Sequence, residues 1–122
     1  MPYDLTIRTV FSAAHSIRIA GEPEPLHGHD WSVVVEVTSG ALDGDGLVCD
    51  FHELEAALAR IVAPLHNANL NEIAPFNDIN PTAEHVARHI AQSMIAALAP
   101  GVSLACVRIG EAPGCEATYR PG

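Results

Sequence analysis

The sequence predicts an α+β fold: a four-stranded antiparallel sheet with two helices on one face, in the order β-β-α-α-β-β. Three observations lead there. Two β-rich stretches stand near the start, two apolar segments of helical period stand in the middle, and two more β-rich stretches stand near the end. Helices grouped between paired strands favour an antiparallel sheet covered on one side.

Residues 3 to 14 read as the first strand, with Tyr3, Leu5, Ile7, Thr9 and Phe11 on one period-2 face. Gly21, Pro23 and Pro25 mark residues 16 to 26 as a loop. Residues 29 to 39, with the run Val33-Val34-Val35-Glu36-Val37-Thr38, form a second strand antiparallel to the first. After turn chemistry at Leu42-Asp43-Gly44-Asp45-Gly46, Asp50 is placed as a helix N-cap with Glu53 three residues on. Phe51, Leu54, Leu58, Ile61 and Leu65 make that helix's expected buried stripe.

Residues 66 to 80 lack periodicity and read as a loop. A second helix is expected to open at Asn80-Pro81, with Asn as cap and Pro at the first helical position. Val86, Ile90 and Met94 share its inner face, and Pro100-Gly101 ends it. Val102 to Ile109 and Cys115 to Arg120 supply the last two strands. No linker, repeat or low-complexity segment divides the 122 residues, so residues 1–122 are read as one domain.

Composition narrows the function. Net charge is -9, and the six basic residues are all arginines, scattered along the chain. No basic stripe is present to neutralise a phosphate backbone or an anionic lipid surface, so nucleic acid and membrane are not expected partners. No apolar run approaches the ~20 residues of a membrane span. The first residues lack signal-peptide character, and a cytoplasmic enzyme is the expectation. Three cysteines, Cys49, Cys106 and Cys115, are too few and too scattered for a disulfide framework, and are read as buried apolar side chains.

The histidines carry the chemistry. His27-Gly28-His29 opens the second strand, and an i, i+2 pair on a strand points to one face. His15 closes the first strand, so pairing of the two strands lets three imidazoles converge. Three neutral nitrogens around zinc leave a fourth position open, the arrangement of a catalytic site. By contrast His85 and His89, an i, i+4 pair, lack any accompanying H-E-x-x-H pattern and read with His52 as a solvated helix face.

Taken in order, Phe11-Ser12-Ala13-Ala14-His15, Leu26-His27-Gly28-His29, Gly46-Leu47-Val48-Cys49-Asp50-Phe51, Leu70-Asn71, Asn80-Pro81-Thr82-Ala83-Glu84 and Arg108-Ile109-Gly110-Glu111 with Tyr119 resemble the 6-pyruvoyl-tetrahydropterin synthase family, which also holds 6-carboxy-tetrahydropterin synthases. The resemblance spans nearly the whole chain. It implies a T-fold, Zn2+ on His15, His27 and His29, a small-molecule pterin substrate, and a hexamer built as a dimer of trimers with sites between subunits. It implies that Glu111 anchors the pterin through its 2-amino and ring N–H groups, with Thr82 near the ring or simply starting the helix.

The departures from the family pattern are informative. The cysteine expected four residues before His27 is replaced by Pro23, and the Asp-His pair of the family is replaced by His66-Asn67. Glu24 stands three residues before His27, so that Glu24-Pro25-Leu26-His27-Gly28-His29 is similar to the E-x-x-H-G-H variant. That variant cleaves the side chain of 7,8-dihydroneopterin compounds to 6-hydroxymethyl-7,8-dihydropterin. The expected activity is therefore a zinc-dependent, dihydroneopterin aldolase-like lyase serving folate or tetrahydromethanopterin biosynthesis. Glu24 would be the base, His66 a second proton-transfer candidate, and Arg18 the best phosphate contact. The alternatives are a 6-pyruvoyl- or 6-carboxy-tetrahydropterin synthase with an altered proton relay, and a pterin- or zinc-binding protein without catalysis.

Overall fold

The first long strand, β1 (Tyr3–His15), alternates apolar and polar residues, so one face can be buried while the other meets water. It runs beside β4 (His27–Ser39) in an antiparallel pairing without a break, from Tyr3 opposite Ser39 to His15 opposite His27. Between them, the expected loop contains a small hairpin of β2 (Arg18–Ile19) and β3 (Glu22–Pro23). Gly21, at φ 82, makes its turn, a left-handed conformation that glycine adopts without a side-chain clash.

The computed structural model describes residues 1–122. Its main sheet has five strands, not four, in the order β5-β1-β4-β6-β7. The added strand, β5 (Ala68–Asn69), lies parallel to β1 and is too short to leave a periodic trace in the sequence. The rest of the sheet is antiparallel through β6 (Ser103–Ala112) and β7 (Cys115–Tyr119).

Helix α1 (Phe51–Val62) starts as expected, with the Asp50 carboxylate accepting the His52 N–H. Its buried residues are Leu54, Ala57, Leu58 and Val62; Leu54 and Leu58 are buried as expected and Ile61 packs partly buried against the core, but Phe51 is 48% exposed. Leu65 is buried, but beyond the helix end. Helix α2 (Ala83–Ala97) is capped by Thr82, whose hydroxyl accepts the His85 N–H, and not by Asn80. The Asn80 side chain is instead committed to Arg18, accepting its N–H and donating to its carbonyl.

The core lies between one sheet face and both helices. Ile7, Phe11 and Ala13 of β1, Trp31, Val33, Val35 and Val37 of β4, and the inner residues of α1 and α2 form one cluster. Phe11 stacks on Trp31 with ring centroids 5.8 Å apart, and the indole N–H donates to the Ala13 carbonyl. Each large side chain buried here contributes about 1.5–3 kcal/mol relative to exposure. The other sheet face has no helix over it, and Val10 is 61% exposed there. No helix is long and apolar enough to cross a membrane.

Two other expectations are corrected. Cys106 is buried, but Cys49 is only half-buried and Cys115 is exposed. His85 and His89 are not solvated: His85 Nδ1 lies 2.6 Å from the Asn80 carbonyl, and half-buried His89 packs edge-on against Phe76. Of these three helical histidines, only His52 stands in solvent, its side chain 92% exposed.

Candidate metal centre

The β1–β4 register builds the site. His15 stands opposite His27, and His29 lies opposite Ala13, two residues back along β1. Alternation puts all three imidazoles on the core face, at the end of the sheet. Their ring centroids are 4.7 to 5.2 Å apart, and Trp31 packs edge-on against His15 and His29. The indole forms the dry floor of the cluster.

A fourth group arrives from β6. The β6–β7 register shifts between Gly110 and Ala112, leaving Glu111 without a cross-strand partner. Bulges of this kind re-aim a side chain and recur beside active sites. The Glu111 Oε1 lies 3.0 Å from His15 Nε2 and 3.1 Å from His29 Nε2. Gly110 beside it allows close strand packing, since a Cβ there would stand 2.2 Å from Ser32 Oγ. The ligand-type atoms of His15, His27, His29 and Glu111 all lie within 4.8 Å of one another.

The hydrogen bonds on the far side of the rings decide the tautomers. His15 Nδ1 lies 2.8 Å from the Pro81 carbonyl, and His27 Nδ1 lies 2.9 Å from the Pro25 carbonyl. A carbonyl only accepts, so each Nδ1 carries a hydrogen and each ring turns its Nε2 to the cluster. His15 is fully buried, and neither its Nε2 nor that of His29 makes a hydrogen bond. Buried nitrogens gathered beside a carboxylate are the donor set of a zinc-type cation, and backbone carbonyls behind such rings hold them in orientation. The residues present therefore fit a metal ion.

Glu24 joins this cluster from the loop before β4. Its Oε1 lies 3.6 Å from His27 Nε2 and accepts the Ile17 N–H at 3.2 Å. Its backbone is fastened too: the Glu24 N–H donates to the Ile17 carbonyl, and its own carbonyl accepts the Ser16 hydroxyl. Pro23, where a thiol is expected from the family pattern, pairs with Arg18 in the small hairpin. The cysteines offer no substitute at this site. Burial pushes the Cys49 thiol up, helped by nearby Glu53, Asp50 and Asp43, and burial with a hydrogen bond to Glu36 does the same at Cys106.

His66 lies outside the four-residue cluster. Its Nδ1 accepts the Ser12 N–H, which fixes the ring at the edge of β1. Asn67 follows at φ 59, the left-handed region that Asn tolerates. Next to it opens a cleft of about 490 Å³ bordered by Ser12, Gly28, His29, Asp30 and Asn67, with the Ser12 hydroxyl donating to Asp30. Thr82 is the α2 cap, one residue past the carbonyl that holds His15. Arg18 is tied through its backbone to Asn80 and is exposed.

Sequence reasoning did not find the holding groups. The Pro25 and Pro81 carbonyls leave no side-chain signal. Asn71 accepts the Ser16 N–H and donates to the Ser16 carbonyl, both at 2.8 Å, and only the long-range fold makes that pair visible.

Comparison with known proteins agrees with this architecture. The family model described as 6-pyruvoyl tetrahydropterin synthase matches residues 4–122. An Archaeoglobus fulgidus protein provisionally named 6-carboxy-5,6,7,8-tetrahydropterin synthase is 33% identical over 105 residues, covering 86% of this chain and 84% of that one. The Caenorhabditis elegans 6-pyruvoyl tetrahydropterin synthase superposes with a TM-score of 0.86 at 22% identity, over 98% of this chain and 96% of that one. A Plasmodium vivax 6-pyruvoyltetrahydropterin synthase, solved as a variant lacking a catalytic glutamate, superposes at 0.80 with 19% identity, over 98% of each chain. With the matched family model, the close sequence relative and the T-fold in agreement, this chain belongs to the 6-pyruvoyl tetrahydropterin synthase family.

Proposed function

We propose that the chain is a zinc-dependent pterin lyase in which Glu24 takes the place of the family's cysteine as base. The substrate in this reading is 7,8-dihydroneopterin or its phosphate, and the products are 6-hydroxymethyl-7,8-dihydropterin and a two-carbon aldehyde. The observation that carries it is the Glu24 carboxylate, 3.6 Å from a cluster imidazole and held by the Ile17 N–H, with the Glu24 backbone carbonyl fastened by the Ser16 hydroxyl. A catalytic glutamate in the Plasmodium vivax neighbour supports the same choice of base.

In the mechanism, His15, His27 and His29 would hold Zn2+, which supplies a positive charge that acidifies and orients a bound hydroxyl. Glu24 removes the proton of the side-chain 2′ hydroxyl. The 1′–2′ carbon bond breaks, its electrons enter the dihydropterin ring, and a proton returns to the 1′ carbon. His66, which accepts the Ser12 N–H at the edge of β1, is the proposed donor for that return. Glu111 anchors the 2-amino and ring N–H groups of the pterin, and Thr82 stands near the ring. Arg18 is the phosphate contact. The assembly is a cytoplasmic hexamer of two stacked trimers, and the product feeds folate or tetrahydromethanopterin synthesis.

A second reading is favoured by the Archaeoglobus relative: a 6-carboxy- or 6-pyruvoyl-tetrahydropterin synthase that uses Glu24 in an altered relay. The names of the relatives back this product class better than side-chain loss. Mass analysis of products from zinc-loaded protein with 7,8-dihydroneopterin and its mono- and triphosphates separates the two. The lyase reading expects 6-hydroxymethyl-7,8-dihydropterin, lost in Glu24→Ala. A pyruvoyl or carboxy product overturns it in favour of the synthase. Tight pterin binding without turnover overturns both.

A further inference from the structure

Glu111 adds a carboxylate to the three-imidazole cluster. Its Oε1 approaches two imidazole nitrogens at once, at 3.0 and 3.1 Å. In a tetrahedral zinc site with bonds of about 2.0–2.2 Å, neighbouring ligand atoms stand roughly 3.3–3.6 Å apart. The two carboxylate–imidazole distances fall a little inside that spacing, and all four ligand-type atoms lie within 4.8 Å of one another.

The far side of the His15 ring is already occupied: its Nδ1 lies 2.8 Å from the Pro81 carbonyl, which turns Nε2 toward Glu111. His15 is fully buried, and the polar Nε2 atoms of His15 and His29 find no hydrogen bond of their own. The bulge that frees Glu111 from the β6–β7 ladder aims it into this gap rather than into the neighbouring cleft.

We propose that Glu111 is the resident fourth ligand of the metal and leaves it when substrate arrives. This rests on the metal reading above and deepens it. The same carboxylate cannot hold the ion and the pterin ring at once, so pterin anchoring and metal release become one movement. The resting site is thereby closed with three nitrogens and one oxygen, and water is kept from the ion until a pterin offers Glu111 its N–H groups.

The experiment compares wild type, Glu111→Gln and His27→Ala by zinc competition against a chromophoric chelator and by the visible spectrum of the Co2+-loaded protein. Circular dichroism checks that each variant is folded, and Glu111→Asp replaces Glu111→Gln if the latter is not. Zinc affinity is expected to fall about 10- to 100-fold in Glu111→Gln, with a changed Co2+ spectrum. Adding 7,8-dihydroneopterin to the Co2+-loaded wild type is expected to alter its spectrum, and to do so less in the variant. Equal affinities and identical spectra in wild type and Glu111→Gln, with binding lost in His27→Ala, would overturn the fourth-ligand role and leave the metal site standing. A weaker affinity with an unchanged spectrum also overturns it, since the carboxylate would then act only through its charge. No zinc binding by the wild type would overturn the metal reading itself.

Discussion

Asn71 grips Ser16 by both of its backbone groups, accepting the N–H and donating to the carbonyl at 2.8 Å each. Ser16 follows His15 directly, and its hydroxyl donates to the Glu24 carbonyl. One amide side chain therefore ties the last turn of β1 to the strap that carries the proposed base. Losing both bonds leaves part-buried backbone groups unpaired, at about 1–3 kcal/mol. Asn71→Ala is expected to lower the urea midpoint accordingly and to weaken zinc binding, both read in the same titrations.

Glu24→Gln removes a proton acceptor while keeping the contact to Ile17. Turnover is expected to fall about 10²- to 10⁴-fold, the usual contribution of a positioned base. Zinc affinity should stay within about twofold, because Glu24 lies outside the four-residue donor set. Product formation by mass spectrometry and chelator competition are the two readouts. A loss of zinc in step with activity would mean that Glu24 holds the metal.

Metal removal is expected to destabilise the fold. A ligand bound at a hundred times its dissociation constant stabilises by about 2.7 kcal/mol. Thermal scans with zinc and with chelator should therefore separate clearly for wild type. They should coincide for His15→Ala, which cannot assemble the cluster.

His89 on α2 packs against Phe76, and burial pushes its imidazole below the ordinary value of 6.5. His85 and Arg88 border the same small pocket. An unfolded chain takes up a proton at His89 near pH 6.5, whereas the folded chain resists until lower pH. The resulting stability is complete above 6.5 and is lost as pH falls through the depressed folded value. Urea midpoints measured at pH 7.5 and 5.5 should fall less between the two in His89→Leu than in wild type, with chelator present in both.

The bare sheet face bears on assembly. Val10 of β1, opposite Ser32, is an apolar side chain 61% exposed on that face. If the hexamer forms, light scattering gives about six times the 12.9 kDa chain mass. Val10→Asp is then expected to shift the population to smaller species without disturbing the circular dichroism of the subunit.

What could be read in advance depended on how far apart the partners lie in the chain. Strand alternation placed β1 and β4, and their pairing placed His15 beside His27 and His29. The apolar stripe of α2 was equally legible. The cap of that helix was not: Asn80 is a good cap by type, but its side chain is held by Arg18, 62 residues away, and Thr82 takes the role. Phe51 has the right period for burial, yet as the first residue of α1 it is left exposed. Glu111 was recognisable as a site residue from its motif, yet its aim comes from a bulge that no residue type announces. Likewise β5 owes its existence to the edge of β1 and not to its own two residues.

The unbroken β1–β4 register also acts as a check on assembly. Side chains alternate between faces, so sliding β4 by one residue would turn His27, His29 and Trp31 together away from His15 and toward the open side. A two-residue slide would restore the face but part His15 from His27. Mispaired chains thus cannot gather the three nitrogens, and retained zinc counts the molecules whose strands met in the right order.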